Sequence, residues 1–481
     1  MTQADFFSIL PIIVLAGWAL LLLAVDLFLA KERQGLVALL AALGLVVSLG
    51  LTLAQGRQSG LAFGGMIMLD GFAVYLNVIF LASGLVAIAI GYDYLKRMGL
   101  QRGEYYVLML FSVSGIMLIT QAYNLLVVFL ALEMLSIPLY VLAGFAHPRS
   151  ESQEAALKYF LLGAFSSAFV LYGIALVFGA TASIGLDGIL AALQSGTANN
   201  VLFAAGAALM LVGFGFKVAA APFHEWAPDV YQGSPSPVSS FMAVAVKAGG
   251  FAVLLRVFLT AFPSLAATLT PAIWVISALT MIVGNVLAVV QTNIKRLLAY
   301  SSIAHAGYML MAFVPYGSET AAGQSVAAMI FYLIAYGITT FGAWAVVVSL
   351  EQAEGRGLEL EDYAGLGHKV PWLGVAMMIF MLSLTGVPLT LGFWGKFYLF
   401  KTAVDAGYTW LALIGLLTSL VSAYYYMRVV VVMFMRSGEP RVRRDSWLSL
   451  VVLGAALAVV ALSVVPGRLL EAAANAILRL Q

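Results

Sequence analysis

Several ionisable residues lie inside long apolar stretches of this sequence, where a charge is costly, and nine of them are weighed by their depth. They are Lys158, Lys217, Lys247, Arg256, Lys396, Arg428, Asp26, Glu133 and His305. On insertion scales each ionised group at bilayer depth costs at least about 2.5–3.5 kcal/mol. A group near a helix end can snorkel or join a structural ion pair, whereas a group far from both ends needs a partner or a proton-carrying role. Arg256 and Arg428 lie within about two turns of expected helix ends, and Asp26 within one, so snorkelling accounts for them. Lys158 stands near the start of its stretch, after Glu151 and Glu154, and both readings stay open for it. Glu133 and Lys247 are central in theirs; about nine residues of helix on either side is roughly 14 Å, too far to snorkel.

Lys217 belongs to Gly213-Phe-Gly-Phe-Lys-Val-Ala-Ala-Ala-Pro-Phe-His-Glu-Trp-Ala-Pro228. Gly213, Gly215, Pro222 and Pro228 in one membrane helix predict a break, because proline cannot donate to the helical ladder and clashes with the preceding turn. Freed backbone at that depth is tolerated only against protein or a water-filled cavity, so Lys217 and His224 are expected to flank one. A desolvated lysine can take up and release protons, and histidine titrates near neutrality by default. Lys396 repeats the pattern behind Gly386, Pro388 and Gly392. Paired Gly/Pro-interrupted spans are the sequence pointer to transport half-sites. His305 sits among hydroxyl residues in Ala299-Tyr-Ser-Ser-Ile-Ala-His-Ala-Gly-Tyr308, which suits a relay or an ordinary hydrogen-bonded core histidine equally. Glu133, Lys217, Lys247 and Lys396, with Lys158, His224 and His305 as secondary members, form a candidate proton relay.

The elements that must position these residues follow from composition. The chain has 481 residues, 63% hydrophobic and 10% charged, with a mean hydropathy of +1.02. A soluble chain is about 25% charged, so that class is excluded. There is no cysteine, which excludes disulfides and thiolate-bound metals or clusters in this chain. A net charge of +2 without a basic stripe argues against nucleic-acid binding. No nucleotide-binding signature is present, since the Gly213-Phe-Gly215 pair lies in a membrane helix. Residues 1–30 lack a basic leader region and read as a first span rather than a signal peptide.

The apolar stretches predict about fourteen membrane helices: 5–29, 35–54, 71–91, 104–120, 124–145, 156–179, 202–231, 237–261, 271–290, 297–315, 325–349, 371–402, 407–435 and 446–466. The fold class is therefore all-α and polytopic. The interrupted spans are the seventh and twelfth. A five-span offset reverses membrane direction, so spans 4–8 (104–261) and 9–13 (271–435) are expected to be inverted repeats. Residues 1–103 would precede them, and 446–481 would form span fourteen and a tail. With both termini outside, fourteen of the connecting Lys and Arg residues face the cytoplasm and four face out. The inner set is Lys31, Arg33, Lys96, Arg97, Arg102, Arg149, Lys295, Arg296, Arg356, Lys369, Arg436, Arg441, Arg443 and Arg444; the outer is Arg57, Lys401, Arg468 and Arg479.

Three stretches together carry a family resemblance. They are Ala221-Pro-Phe-His-Glu-Trp-Ala-Pro-Asp-Val-Tyr-Gln-Gly-Ser-Pro-Ser-Pro237 followed by Lys247, Leu132-Glu-Met-Leu-Ser-Ile-Pro-Leu-Tyr140, and Lys295-Arg-Leu-Leu-Ala-Tyr-Ser-Ser-Ile-Ala-His-Ala-Gly-Tyr308. This combination resembles the antiporter-like membrane subunits of respiratory complex I, the proton-translocating NADH–quinone oxidoreductase, over nearly the whole chain. The Asp-Val-Tyr-Gln-Gly form, Lys396 where another such subunit carries a glutamate, and the absence of a long C-terminal lateral helix single out one of these subunits.

The resemblance implies a fourteen-helix fold with two inverted five-helix repeats and a proton path through Glu133, Lys217, Lys247 and Lys396, joined by His224 and Lys158. It implies no cofactor in this chain, with NADH, FMN, iron–sulfur clusters and quinone handled by partner subunits. The implied partners are the other membrane subunits of the complex, further antiporter-like subunits among them, and the lipid bilayer. The implied location is the bacterial plasma membrane, with both termini on the periplasmic side. A change in Glu133–Lys217 pairing would then send a proton towards Lys247 and Lys396. The alternatives are a subunit of a multi-component sodium/proton antiporter, which shares the core motif, and a scaffold whose buried charges only pair.

Overall fold

The protein is described here from a computed structural model covering residues 2–29, 35–56, 58–318, 321–443 and 445–476. Inside a bilayer each backbone N–H and C=O must be satisfied within its own segment, and the apolar runs accordingly form helices. In chain order they begin with α1 (Gln3–Asp26) and α2 (Gly35–Ala54). A two-stranded hairpin, β1 (Gly60–Ala62) and β2 (Ile67–Leu69), leads into α3 (Gly71–Arg97), α4 (Gly103–Gln121), α5 (Leu125–Ala143) and α6 (Ser150–Thr181). A short α7 (Leu186–Gln194), outside the expected spans, precedes α8 (Asn200–Val218) and α9 (Trp226–Gly233). Then come α10 (Ser236–Phe241), a π-helical turn (Met242–Val246) and α11 (Lys247–Ala261), followed by α12 (Ala266–Val289), α13 (Ile294–Phe313) and α14 (Ala322–Leu350). The chain continues through α15 (Leu366–Lys369), α16 (Pro371–Thr385), α17 (Leu391–Asp405), α18 (Thr409–Met435), α19 (Ser446–Val464) and α20 (Pro466–Ala474).

Among the described residues, 12 helices are long and apolar enough to cross a membrane. The 20-residue α13 and the interrupted pair α16–α17 supply two more crossings at the expected places. Both interrupted spans are broken where glycine and proline predict it: α8 and α9 are separate helices around Pro222, and α16 and α17 around Pro388. Side-chain caps start several of the helices, with Thr2, Asp70, Asn124, Asn199 and Asn293 accepting from first-turn N–H groups.

Packing between helices relies on small residues. Gly173 of α6 and Gly206 of α8 face one another so closely that a Cβ on either would lie 2.7 Å from the other's carbonyl oxygen. A Cβ at Gly284 of α12 would lie 2.5 Å from the Ala304 nitrogen of α13. Without a hydrophobic drive between helices in lipid, close backbone approach supplies the dispersion energy. The outer faces of α2, α6, α18 and α19 expose large apolar side chains such as Leu39, Phe165, Leu420 and Leu457, while α10, α11 and α13 are wholly enclosed or nearly so.

One end of the bundle gathers basic side chains and their partners. Arg97 pairs with Asp445 at 2.7 Å, and Lys158 and Arg296 both reach Asp229 at 2.6 Å. Lys369 meets Glu439 at 2.7 Å, and Arg436 meets Glu361. Of the charges used to orient the chain, Lys31, Arg33, Arg57, Arg444 and Arg479 lie outside the described residues.

Arg256 is not a snorkelling residue. It is fully buried, and its Nη1 and Nη2 grip the two carboxylate oxygens of Asp70 at 2.6 and 2.8 Å. Its Nε and Nη2 also donate to the Thr120 carbonyl at 3.0 and 2.6 Å. Asp70 caps α3 through the Ala73 N–H at 2.9 Å as well, so four of the guanidinium N–H groups and both carboxylate oxygens are engaged. Arg428 donates to the carbonyls of Val289 and Gln291 past the end of α12, in keeping with a helix-end residue. Replacing Arg256 by Leu should cost about 3–5 kcal/mol by stranding the Asp70 carboxylate. The Asp70→Leu/Arg256→Met double variant should recover most of this, short of about 0.5–2 kcal/mol for the lost cap. Thermal unfolding of the solubilised assembly reads both; equal losses in single and double variants would contradict the pairing.

Candidate functional site

The two helix breaks are built alike. The first half-helix, α8, ends with Ala219 in the left-handed region (φ 57°), its N–H donating back to the carbonyls of Gly215 and Phe216. A non-glycine residue there is strained by roughly 1–2 kcal/mol. Freed backbone groups find new partners: the Ala221 N–H donates to Thr280 Oγ1 at 2.9 Å, and Trp226 Nε1 donates to the Phe216 carbonyl at 3.0 Å. The second half-helix pair turns at Gly386 (φ 87°), whose N–H bonds to the carbonyls of Leu382 and Ser383. Gly392 N–H donates to Ser383 Oγ at 3.1 Å, and Ser383 is tied to Thr339 at 3.0 Å. α8 thus ends inside the protein and α16 at a half-buried turn beside the exposed Leu389, each presenting the partial negative charge of a helix C-terminus.

A lysine answers each of those ends. Lys217, in the last turn of α8, is 4% exposed and donates to Ser136 Oγ at 2.7 Å. Lys396, on α17, is 5% exposed; it donates to the Thr385 carbonyl at the end of α16 at 2.8 Å and to Ser419 Oγ at 2.7 Å. Lys247, 2% exposed, begins α11 directly after the π-helical turn and donates to the Ser302 carbonyl on α13 at 2.5 Å. Such π-turns inside α-helices are frequent at functional sites. Among the described residues none of these three lysines has a carboxylate within ion-pair distance, and all three have neutral oxygen partners.

The three lysines are linked through the packing. Gly250, one turn beyond Lys247, lies against Lys217, so that a Cβ there would come within 3.5 Å of the lysine's own Cβ. His305, one turn beyond Ser302, lies within electrostatic reach of both Lys247 and Lys396. The imidazole bridges two phenols, with Nδ1 2.5 Å from the Tyr332 hydroxyl and Nε2 3.1 Å from that of Tyr426. Tyr308 places its ring 4.9 Å from Lys396 Nζ, and its hydroxyl accepts from Asn285 Nδ2 at 3.0 Å.

The other expected members sit differently. Glu133 makes no direct pair with Lys217; it accepts from Ser167 Oγ and reaches the lysine only through space. Lys158 lies at the basic end of the bundle, where Glu154 and Asp229 hold it at 2.7 and 2.6 Å. His224 is half-buried in the first break, with Nδ1 lacking a protein partner. Ser136 and the tyrosines were not singled out by the sequence, although Ser136 falls three residues after Glu133 and so shares its helix face. Among the described residues no group of three His, Cys, Asp or Glu side chains is placed to hold a metal ion.

This arrangement matches known proteins. The family model described as NADH:quinone oxidoreductase/Mrp antiporter, transmembrane, matches residues 122–422. A protein of Chloroflexus aggregans called NADH-quinone oxidoreductase subunit N is 45% identical over 468 residues, spanning 96% of this chain and 95% of that one. A chain in the structure of respiratory complex I from Thermus thermophilus with bound aureothin is 39% identical, with a TM-score of 0.82, covering 97% of this chain and 99% of that chain. A chain of the Mrp complex from Dietzia shares the fold at a TM-score of 0.86, covering 99% of this chain and 97% of its own, at 19% identity.

A buried cation with neutral partners lowers stability rather than raising it. Lys247→Met should therefore leave the unfolding free energy of the solubilised assembly unchanged or raise it by up to about 4 kcal/mol, and its thermal midpoint should hold or rise with it. A clear fall would make Lys247 a structural strut.

Proposed function

Because the chain belongs to the NADH:quinone oxidoreductase/Mrp antiporter membrane family, we propose that it is the proton-translocating antiporter-like subunit of a bacterial NADH–quinone oxidoreductase. It sits in the plasma membrane with its basic end in the cytoplasm, in line with the excess of Lys and Arg there. Its partners are the other membrane subunits, and electron transfer from NADH through flavin and iron–sulfur clusters to quinone takes place in the rest of the complex. This chain moves protons.

The observation that carries the reading is the set of neutral partners around Lys217, Lys247 and Lys396. A lysine bound to a carboxylate is held as a cation by that charge. A lysine held by a hydroxyl or a carbonyl is stabilised as a cation but can be discharged when a neighbouring charge changes. Glu133, held by Ser167 within electrostatic reach of Lys217, is the group whose charge biases that lysine. The proton then passes along Lys247, His305 with its tyrosines, and Lys396. Quinone reduction drives the cycle through a charge or conformational change relayed from neighbouring subunits.

The repeats fit this division of labour. The α4–α5 pairing is matched by α12–α13, and α6 against broken α8 by α14 against broken α16–α17. We read 104–261 and 271–435 as inverted units, each supplying one half-helix end, the first with Lys217 and Lys247 and the second with Lys396.

Lys217→Ala and Lys247→Ala, each in the assembled complex, should lower proton translocation by about tenfold or more and slow quinone reduction with it. Pumping at the parental rate in both variants would overturn the relay. Proton movement that requires sodium and persists without quinone reduction would instead support the sodium/proton antiporter reading.

A further inference from the structure

An apolar groove on the side of the bundle has no part in the lysine line. Helices α2, α3, α14 and α19 enclose about 670 Å³ there, with Val244 of the π-turn and Ala248 of α11 among the lining residues. Small residues keep it open: Ala38 and Ala42 from α2, Ala82 and Ala89 from α3, and Gly454 and Ala458 from α19. A Cβ on Gly454 would meet nothing within 4 Å.

On α3 the lining follows one stripe. Val78, Ala82, Leu85, Ala89 and Tyr92 recur at steps of three and four residues, and the next position in that series is Lys96. The stripe is apolar, then aromatic, then cationic. From Val78 to Tyr92 it runs about 21 Å along the helix, more than the roughly 15 Å of half a hydrocarbon core. Tyr92 and Trp447 stand at its basic end, where aromatic rings meet the headgroup level of a bilayer. Arg97, next to Lys96, is already taken by Asp445 at 2.7 Å and by the Val348 carbonyl at 2.6 Å. Lys96 is exposed and, among the described residues, forms no ion pair; Asp93 lies within its electrostatic reach only.

Shape separates the candidate occupants. Spread over about 21 Å, the volume gives a mean cross-section of about 30 Å². An α-helix about 10 Å across needs roughly 80 Å². The groove is too narrow to seat a partner helix and wide enough for an extended hydrocarbon chain. We propose that it is a binding site for a glycerophospholipid. One acyl chain lies along the α3 stripe from Tyr92 towards Val78, and the phosphate meets the Lys96 ammonium beside Tyr92 and Trp447. Bulk lipid is as apolar as the groove, so burying the chain gives no preference by itself. The charge-assisted contact to the phosphate and the close packing on small residues distinguish this lipid from its neighbours.

The test uses the whole complex in phosphatidylcholine vesicles containing a trace of phosphatidylglycerol with a diazirine midway along one acyl chain. After irradiation and digestion, mass spectrometry should find lipid adducts on the groove-lining residues of α3 and α19. Unlabelled phosphatidylglycerol should displace the probe, and diacylglycerol, which lacks the phosphate, should not. Gly454→Phe, which fills the groove, should remove the adducts, and Lys96→Ala should lower them by about tenfold. Adducts absent from the groove, adducts unchanged in either variant, or equal displacement by diacylglycerol would overturn the inference. A photoactivatable residue in place of Ala82 that crosslinks to a neighbouring subunit rather than to lipid would overturn it in favour of a protein partner. The site does not depend on the relay: normal pumping by the Lys247→Ala complex would leave it standing.

Discussion

The constraint on which this structure depends is the cost of a charge away from water. Charged groups in a membrane protein's interior persist only where something compensates them, and this chain uses two different compensations. Arg256 and Asp70 neutralise one another, with a bidentate contact, a backbone carbonyl and a helix cap taking most of their hydrogen-bonding capacity. That pair pins α11 to the start of α3 and the end of α4. Lys217, Lys247 and Lys396 are compensated only in part, by hydroxyls, carbonyls and the negative ends of interrupted helices. The difference between complete and partial compensation separates architecture from candidate chemistry.

Partial compensation draws on three kinds of oxygen: the Thr385 carbonyl at a helix break for Lys396, the Ser302 carbonyl inside the unbroken α13 for Lys247, and the Ser136 hydroxyl for Lys217. At the breaks themselves, Ala219 and Gly386, surrounding hydroxyls and an indole restore freed backbone bonds. The π-turn before Lys247 sets that lysine at the start of a fresh α-helical run. Close glycine contacts hold the flanking helices tightly enough for these geometries to persist.

Much of this was legible in the sequence, for a physical reason. Hydropathy and length fix which segments cross, and Gly and Pro fix where a crossing must break, so every expected span and both interruptions have counterparts among the helices. The lysines stood out because charge in apolar sequence is rare. What the sequence could not supply was tertiary neighbourhood. Asp70 and Arg256 are 186 residues apart, and nothing local distinguishes that arginine from a snorkelling one. Lys158 and Lys217 are both lysines in expected spans, yet one is held by two carboxylates at the basic face and the other by a serine inside. Helical period could have paired Ser136 with Glu133, but the tyrosines around His305 come from α14 and α18, which only the packing brings to α13.

The central claim is that the three buried lysines change protonation during turnover. Nitrogen-15 spectroscopy of the lysine Nζ groups in the assembled complex tests it most directly, because ammonium and amine nitrogens resonate apart. Comparing the resting complex with one reducing quinone, the account predicts that at least one of Lys217, Lys247 and Lys396 passes between the two forms. All three holding a single protonation state under both conditions, in a complex that pumps, would contradict it.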